Sequence, residues 1–182
     1  MSRRCKFGRA VGEVMQVAYV VDDLETAAME WVRRLNIGPW LVMDHFLGVN
    51  MKYYGEPTDV GLSLAIAFSG SMSFELIAQK DRAPSVYLDA VKAHGYGCFH
   101  HWAVTTDEFD TDIERHIRDG SRIAFSGEVA PVGRKRFAYI DTNGRLPGMI
   151  ELIELNEAVE DLFAGIKTHA DGWTGANPIR RL

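Results

Sequence analysis

The sequence has few of the features that mark secreted, membrane or nucleic-acid-binding proteins. Its two cysteines, Cys5 and Cys98, are too few for a disulfide framework, so a reduced, cytoplasmic setting is expected. No apolar run approaches the roughly 18 residues needed to span a bilayer. The basic residues among 1–10 are not followed by the apolar core of a secretory signal. The net charge of −5 argues against a nucleic-acid partner, because phosphates require a basic surface.

What the sequence does contain is typical of a folded globular protein. Hydrophobic residues make up 47% and charged residues 25% of the 182 positions, which is ordinary for a chain that buries a core. The length suits one full domain or two small modules that share a core.

An internal repeat divides the chain into two similar halves. When Gln16 is aligned with His101, three further positions carry identical residues, which are Ala18 and Ala103, Asp22 and Asp107, and Thr26 and Thr111. A second match follows in each half, between residues 74–77 and residues 150–153. Two copies of one structural module explain such self-similarity most simply.

Hydrophobic periodicity and turn residues predict the same order of elements in both halves. In the first half, a strand and a helix opened by Asp22 or Asp23 precede three strands, with the strands at 14–21, 40–47, 62–68 and 73–79. In the second half, a strand and a helix ended by Gly120 precede three more, with the strands at 99–105, 122–132, 135–141 and 148–154. The predicted fold class is therefore α+β in one structural domain. Its parts are βαβββ modules at 13–80 and 99–155, a connecting segment at 81–98, and a C-terminal helix and tail at 156–182.

Four side chains able to bind a metal fall at matching points of the two modules. Gln16 and His101 lie on the first predicted strands, whereas Glu75 and Glu151 lie inside apolar runs on the last. A buried carboxylate is costly unless it is paired or bound to a cation. Two carboxylates, an imidazole and an amide oxygen would suit Zn, Ni, Co, Mn or Mg. Each residue alone also fits an ordinary solvent-facing or hydrogen-bonded position, so this interpretation depends on the repeat.

His100 and His101 are adjacent, and only one of them aligns with Gln16. Neighbouring residues of a strand point to opposite faces of the sheet. We therefore expect His101 to face the candidate site and His100 to face away from it.

Four segments of the sequence resemble motifs of the vicinal oxygen chelate superfamily, which includes glyoxalase I, methylmalonyl-CoA epimerase, extradiol dioxygenases and bleomycin-resistance proteins. The segments are QVAYVVDDL at 16–24, FELI at 74–77, HHWAV at 100–104 and IELI at 150–153. They occur in the family's order. The resemblance implies that the paired modules curl into a cup around a divalent metal held by the four residues above. It also implies a homodimer.

The identity of the four ligands separates the branches of this family. The order Gln, Glu, His, Glu resembles that of the eukaryotic type of glyoxalase I. The epimerases instead carry His at the first position and Gln at the second, where this chain has Gln16 and Glu75. Extradiol dioxygenases hold iron with two His and one Glu, and Gln16 replaces one of those His. The sequence has no convincing glutathione-binding signature, so the ligand order leaves the substrate open.

The resemblance implies a metal-dependent lyase or isomerase of the glyoxalase or epimerase kind, acting on a small-molecule or thioester substrate. In such enzymes a metal polarises a carbonyl, and a carboxylate removes and returns a proton on the adjacent carbon. Glu151 is the first candidate for this base and Glu75 is the second. The alternative is a metal-free protein of the bleomycin-resistance type that sequesters an apolar small molecule.

Aromatic and basic residues of the later strands are candidates for the walls of the cup. The aromatic candidates are Trp40, Phe46, Tyr53, Tyr54, Phe68, Phe137 and Tyr139. Aromatic residues at strand spacing also fill ordinary cores, so both roles stay open. Arg136, in a basic cluster with Arg134 and Lys135, could bind a carboxylate or a CoA phosphate, or could lie on a solvated turn.

Overall fold

The fold is built on one mixed sheet. The structure, a computed structural model, describes residues 3–182. In chain order its elements are β1 (Val14–Val20), α1 (Leu24–Leu35), β2 (Trp40–Met43), β3 (Gly48–Tyr53), β4 (Glu56–Pro57), β5 (Leu62–Ser69), β6 (Met72–Gln79), α2 (Val86–His94), β7 (Cys98–Thr106), α3 (Phe109–Arg118), β8 (Arg122–Val129), a 3-10 turn (Ala130–Val132), β9 (Lys135–Asp141), β10 (Met149–Glu154), α4 (Glu157–Ala170) and β11 (Ile179–Arg181). The strands form one sheet in the order β11-β2-β5-β6-β1-β7-β10-β9-β8-β3-β4.

The two halves of the chain meet edge to edge at the centre of this sheet. β1 and β7 pair antiparallel, and their outer neighbours β6 and β10 pair with them in parallel. Corresponding strands of the two halves therefore hold corresponding places on either side of the β1–β7 junction. The predicted α+β class, with a curled mixed sheet and a C-terminal helix, is confirmed.

Alternating side chains give the sheet two different faces. Along β5, Leu64 and Ile66 line a cavity, whereas Ala65 and Ala67 pack with α1. α1 and α3 therefore cover the outer face, and α2 and α4 pack on the inner, concave face. None of the helices in residues 3–182 is both long enough and apolar enough to cross a membrane.

The first helix shows how local signals set an element's ends. The Asp23 carboxylate accepts a hydrogen bond from the Thr26 backbone N–H at 2.8 Å and caps the first turn. Asn36, with a φ of 52°, takes the left-handed conformation that ends α1. Leu24 and Ala28 of this helix are buried against the sheet.

Two segments depart from the predicted element order. The strand predicted at 40–47 ends at Met43, and β3 then crosses to pair with β8 at the far end of the sheet. This crossing buries Met51 in the second half, and local periodicity carries no signal for such a long-range contact. The tail after α4, for which no strand was predicted, contains β11, which adds to β2 opposite Trp40. Trp173 packs back against Gly38.

Candidate metal centre

Four adjacent strands at the centre of the sheet carry the predicted metal ligands. In the sheet order β6, β1, β7 and β10, these residues are Glu75, Gln16, His101 and Glu151, with exposed fractions of 6%, 2%, 0% and 8%. The register brings them together, because Ala18 of β1 lies opposite both Glu75 and His101. All four belong to one chain, so no exchange of modules between chains is needed to assemble them.

The imidazole of His101 lies between the two carboxylates. Its Nε2 atom is 3.2 Å from Glu151 Oε2 and 3.5 Å from Glu75 Oε2. Neither this nitrogen nor the amide oxygen of Gln16 has a hydrogen-bond partner within residues 3–182. A buried polar atom without a hydrogen-bond partner is costly. These two atoms therefore indicate a binding site for an ion or ligand that is not part of the protein chain.

Burial controls the protonation of these groups. It lowers the pKa of His101 to about 3, so the imidazole is neutral at pH 7. It raises the pKa of Glu151 to about 8, against the opposing effect of a hydrogen bond with Tyr139. Burial first, and then the negative charge of Glu151, raise the pKa of Glu75, while a hydrogen bond with Gln16 lowers it. Carboxylates that resist ionisation in this way would be stabilised by a cation between them.

The donor set fits a divalent metal ion. The two carboxylates would neutralise its charge, and the lone pair of His101 Nε2 and the Gln16 amide oxygen would be its neutral donors. Oxygen and nitrogen donors of this kind suit Zn, Ni, Co, Mn or Mg. Within residues 3–182, no three His, Cys, Asp or Glu side chains are already arranged as a metal site. The fit to a metal therefore rests on the buried His101 Nε2 and Gln16 amide oxygen, which have no partner, and on the two buried carboxylates.

His100 lies beside His101, so the prediction that it faces away from the site is wrong. The pairing of β7 with β1 shifts register between His101 and Phe99, which leaves His100 as the extra residue of a β-bulge. The two imidazoles consequently approach each other, with their Nδ1 atoms 2.9 Å apart. His100 is fully buried and stacks on Tyr87 of α2, with 4.8 Å between the ring centroids.

A cavity of ≈ 310 Å³ adjoins this cluster. Gln16, Glu75 and Glu151 contribute its polar lining together with the hydroxyl-bearing residues Tyr87 and Tyr139. Most of the remaining lining is apolar and comes from both halves of the sheet and from α4. Its volume lies at the lower end of the roughly 300–1,000 Å³ usual for small-molecule sites.

The structure brings part of the predicted wall to this cavity. Phe46, Phe137 and Tyr139 line it. Arg136 lines it as well, but its guanidinium is bound to Asp110 at 2.7 Å and to Glu154 at 3.0 Å. The basic cluster therefore contributes a paired arginine to the lining.

The other predicted wall residues lie elsewhere, and their assignment to the cavity needs correction. β3 carries Tyr53 and Tyr54 to the far end of the sheet, where the Tyr53 hydroxyl donates to Asp89 and the Tyr54 ring packs under Arg122. Phe68 is buried in the core cluster that contains the N-terminal segment. The lining side chains that were not assigned to the cavity from the sequence include Tyr87, Leu162 and Phe163. The apolar face of the C-terminal helix indicates that Leu162 and Phe163 are buried. The sequence does not show which surface this helix packs against.

Comparison with known proteins agrees with this fold. Residues 15–139 match the family model described as the glyoxalase/bleomycin resistance protein/dioxygenase superfamily. The chain belongs to this superfamily, and the predicted resemblance is confirmed. A search of curated protein sequences returned no match.

Solved structures with the same fold share little sequence with the chain. A hypothetical protein from Bacillus halodurans C-125 is 15% identical with a TM-score of 0.57, and the match covers 80% of this chain and 96% of that one. A methylmalonyl-CoA epimerase from Mycobacterium tuberculosis is 18% identical with a TM-score of 0.54, covering 81% and 90%. A variant of the Streptomyces coelicolor methylmalonyl-CoA epimerase, in complex with 2-nitronate-propionyl-CoA, is 13% identical with a TM-score of 0.55, covering 82% and 98%.

Proposed function

We propose that the chain is a divalent-metal-dependent lyase or isomerase that transfers a proton next to a carbonyl group. The observation that carries this proposal is the approach of His101 Nε2 to both Glu75 and Glu151. The unpartnered amide oxygen of Gln16 adds a fourth donor. Membership of a superfamily that includes glyoxalases supports the same chemistry.

A bound divalent cation would polarise a substrate carbonyl and make the neighbouring C–H bond acidic. Within the protein, Glu151 is the proposed base, which removes the proton and returns it to the same or the adjacent carbon. A pKa of about 8 suits this role, because a general base is most effective when its pKa lies near the working pH. The hydrogen bond with Tyr139 would orient the Glu151 carboxylate. Glu75 is the second candidate for the base.

Metal analysis tests the first part of the proposal. We expect the purified or reloaded protein to hold one divalent ion per chain, and His101→Ala and Glu151→Ala to lose it. Glu114→Ala is the matched control, because this carboxylate lies exposed on α3. A wild-type protein that binds no divalent ion after reloading would contradict metal dependence.

Deuterium exchange tests the reaction. The metal-loaded protein is incubated in deuterated water with methylmalonyl-CoA and, separately, with a hemithioacetal. Exchange of the proton next to the carbonyl that disappears in Glu151→Gln supports Glu151 as the base. Exchange that persists in Glu151→Gln and disappears in Glu75→Gln assigns the base to Glu75. If neither compound exchanges while the metal is bound, both are wrong substrates.

A metal-free binding protein that sequesters a small molecule is the second candidate function. The predominantly apolar lining of the cavity favours this alternative. A metal-free protein that retains an apolar ligand in the cavity would support it over the enzyme. The homodimer stays a prediction, which sedimentation velocity would test.

A further inference from the structure

The charges that line the cavity are almost all neutralised. Lys135 and Arg136 both pair with Glu154, at 3.4 Å and 3.0 Å, and Arg136 also pairs with Asp110. Among the lining residues, all within the described part of the chain, no other cation occurs. A divalent ion would balance the two carboxylates of the metal cluster. A phosphate or carboxylate group would therefore meet no free positive charge inside the cavity.

The C-terminal helix supplies an apolar wall opposite this polar lining. Leu162 and Phe163 of α4 face the cavity. Phe7 packs edge-on against Phe163, with 5.6 Å between ring centroids, and Arg3 forms ion pairs with Glu160 of α4 and with Asp107. These contacts hold the wall in place. The ≈ 310 Å³ of the cavity suits a compact ligand and cannot enclose both a nucleotide and its thioester arm.

We propose that the substrate is a neutral, compact carbonyl compound that carries an alkyl or aromatic group. Its carbonyl group lies at the candidate metal centre with the adjacent C–H bond toward Glu151, and its apolar group packs against Leu162 and Phe163. This inference rests on the proposed function and names the substrate class of that same site. It separates the chain from the structurally similar methylmalonyl-CoA epimerases, which are named for a CoA thioester.

The test compares three probes on the metal-loaded protein in deuterated water. They are 2-hydroxyacetophenone, hydroxyacetone and methylmalonyl-CoA, which carry an aromatic ring, a methyl group and a charged nucleotide arm. Because even one extra methylene changes discrimination by about tenfold or more in an apolar pocket, we expect at least a tenfold higher kcat/KM for the aromatic ketone. Methylmalonyl-CoA should not exchange.

Each outcome decides between substrate classes. Preferential exchange of methylmalonyl-CoA would overturn the neutral apolar substrate while sustaining proton-transfer chemistry. Equal or reversed preference between the two ketones would also overturn it. If neither ketone exchanges, their affinities are measured by ligand-observed NMR on the same protein, and equal affinities again overturn the inference. A protein that binds no metal but still prefers the aromatic ketone would refute only the proposed function.

A charge placed in the wall provides a matched pair of variants. Leu162→Lys adds a cation to the cavity, whereas Ala158→Lys adds the same charge to the exposed face of α4. We expect the preference for the aromatic ketone to fall at least tenfold in Leu162→Lys and to be unchanged in Ala158→Lys. Leu162→Ala adds no charge, so this variant should retain most of the preference for the aromatic ketone. Equal behaviour of the two lysine variants, with folding checked by circular dichroism, would overturn the wall assignment.

A second inference comes independently from the histidine pair. The Nδ1 atoms of His100 and His101 lie 2.9 Å apart, and both rings are buried. Two neutral imidazoles at this distance share one hydrogen, so one Nδ1 donates and the other accepts. His101 Nε2 faces the carboxylates without a hydrogen-bond partner in residues 3–182, as expected for a nitrogen that keeps its lone pair. If Nε2 keeps its lone pair in this way, the hydrogen of His101 resides on Nδ1.

We infer that His100 is a positioning residue that accepts the hydrogen bond from His101 Nδ1–H. In this way it fixes the tautomer in which His101 Nε2 is free to bind a metal. The β-bulge and the stack on Tyr87 hold His100 in place for this role. Partners of this kind orient metal-binding histidines in many proteins, and their loss weakens metal affinity about 10–100-fold.

Nitrogen-15 NMR of the metal-free protein tests the tautomer directly. We expect His101 to carry its hydrogen on Nδ1, and a hydrogen found on Nε2 would overturn the inference. Metal affinity is measured by chelator competition in two variants. His100→Phe keeps a ring against Tyr87 but has no acceptor, so its affinity should fall about 10–100-fold. His100→Asn keeps an acceptor and should recover most of that loss. Wild-type affinity in His100→Phe would refute the role, whereas absent binding in the wild type would refute only the proposed function.

Discussion

Glu151 makes the stability of the metal-free protein depend on pH in a direction that can be worked out. Burial raises its pKa from 4.5 in the unfolded chain to about 8 in the fold. The contribution of the protonated Glu151 carboxyl to the free energy of unfolding is therefore fully present below pH 4.5 and is lost as the pH rises through 8. At about 1.4 kcal/mol per pKa unit, the contribution of this group changes by about 3.5 kcal/mol between about pH 5 and pH 8. For a chain of this size, that contribution is equivalent to roughly 7–14 °C in Tm.

Urea denaturation of the chelator-stripped protein measures this dependence. The free energy of unfolding of the wild type, measured relative to Glu151→Gln, should fall by about 3.5 kcal/mol from about pH 5 to pH 8. Glu151→Gln cannot ionise at this position, so the difference isolates this carboxyl from the opposite pH dependence of the buried His101. A divalent ion added to the wild type should also remove the fall, because it stabilises the ionised form. Parallel curves for the wild type and Glu151→Gln across this range would refute the argument.

Three further perturbations have defined outcomes. Hydrogen bonds from Arg136 lower the pKa of Glu154 to about 2, so its stabilisation is present above pH 4.5 and is lost as the pH falls toward 2. Glu154→Gln should thus cost about 1–2 kcal/mol at neutral pH and almost nothing near pH 2, as measured by urea denaturation. Phe7→Ala should lower the free energy of unfolding by about 3–5 kcal/mol in the same assay, because this ring is fully buried. Gly148→Ala would place a Cβ 2.6 Å from the His100 carbonyl oxygen at a φ of +68°, so it should cost about 1–3 kcal/mol and weaken metal binding, as measured by chelator competition.

Several features of the site could be predicted because the chain repeats itself. Gln16 carries no signal alone, but its alignment with His101 placed both on equivalent strands. The structure brings them onto adjacent strands, together with Glu75 and Glu151. Strand alternation correctly predicts that Glu75 faces away from its neighbours Phe74 and Leu76, which pack with α1 on the outer face. The inward direction of each Glu was expected from the repeat.

The position of His100 could not be predicted from alternation. A β-bulge inserts one residue into one strand and turns consecutive side chains toward the same side. Whether it forms depends on how β7 pairs with β1, which lie far apart in the sequence. The same limit applies to Tyr53 and Tyr54, because the edge that β3 joins is set by packing against the second half.

The sequence by itself determined the α+β class, the paired modules and the four residues of the candidate metal centre. These features follow from hydrophobic periodicity and internal repetition, which can be read directly from the order of the residues. Only the tertiary structure decided that His100 contacts His101 and that α4 forms one wall of the cavity. It also decided that Arg136 is paired with carboxylates. The physical reason is that register shifts, helix docking and ion pairs depend on contacts between distant segments, whose free energies local sequence does not contain.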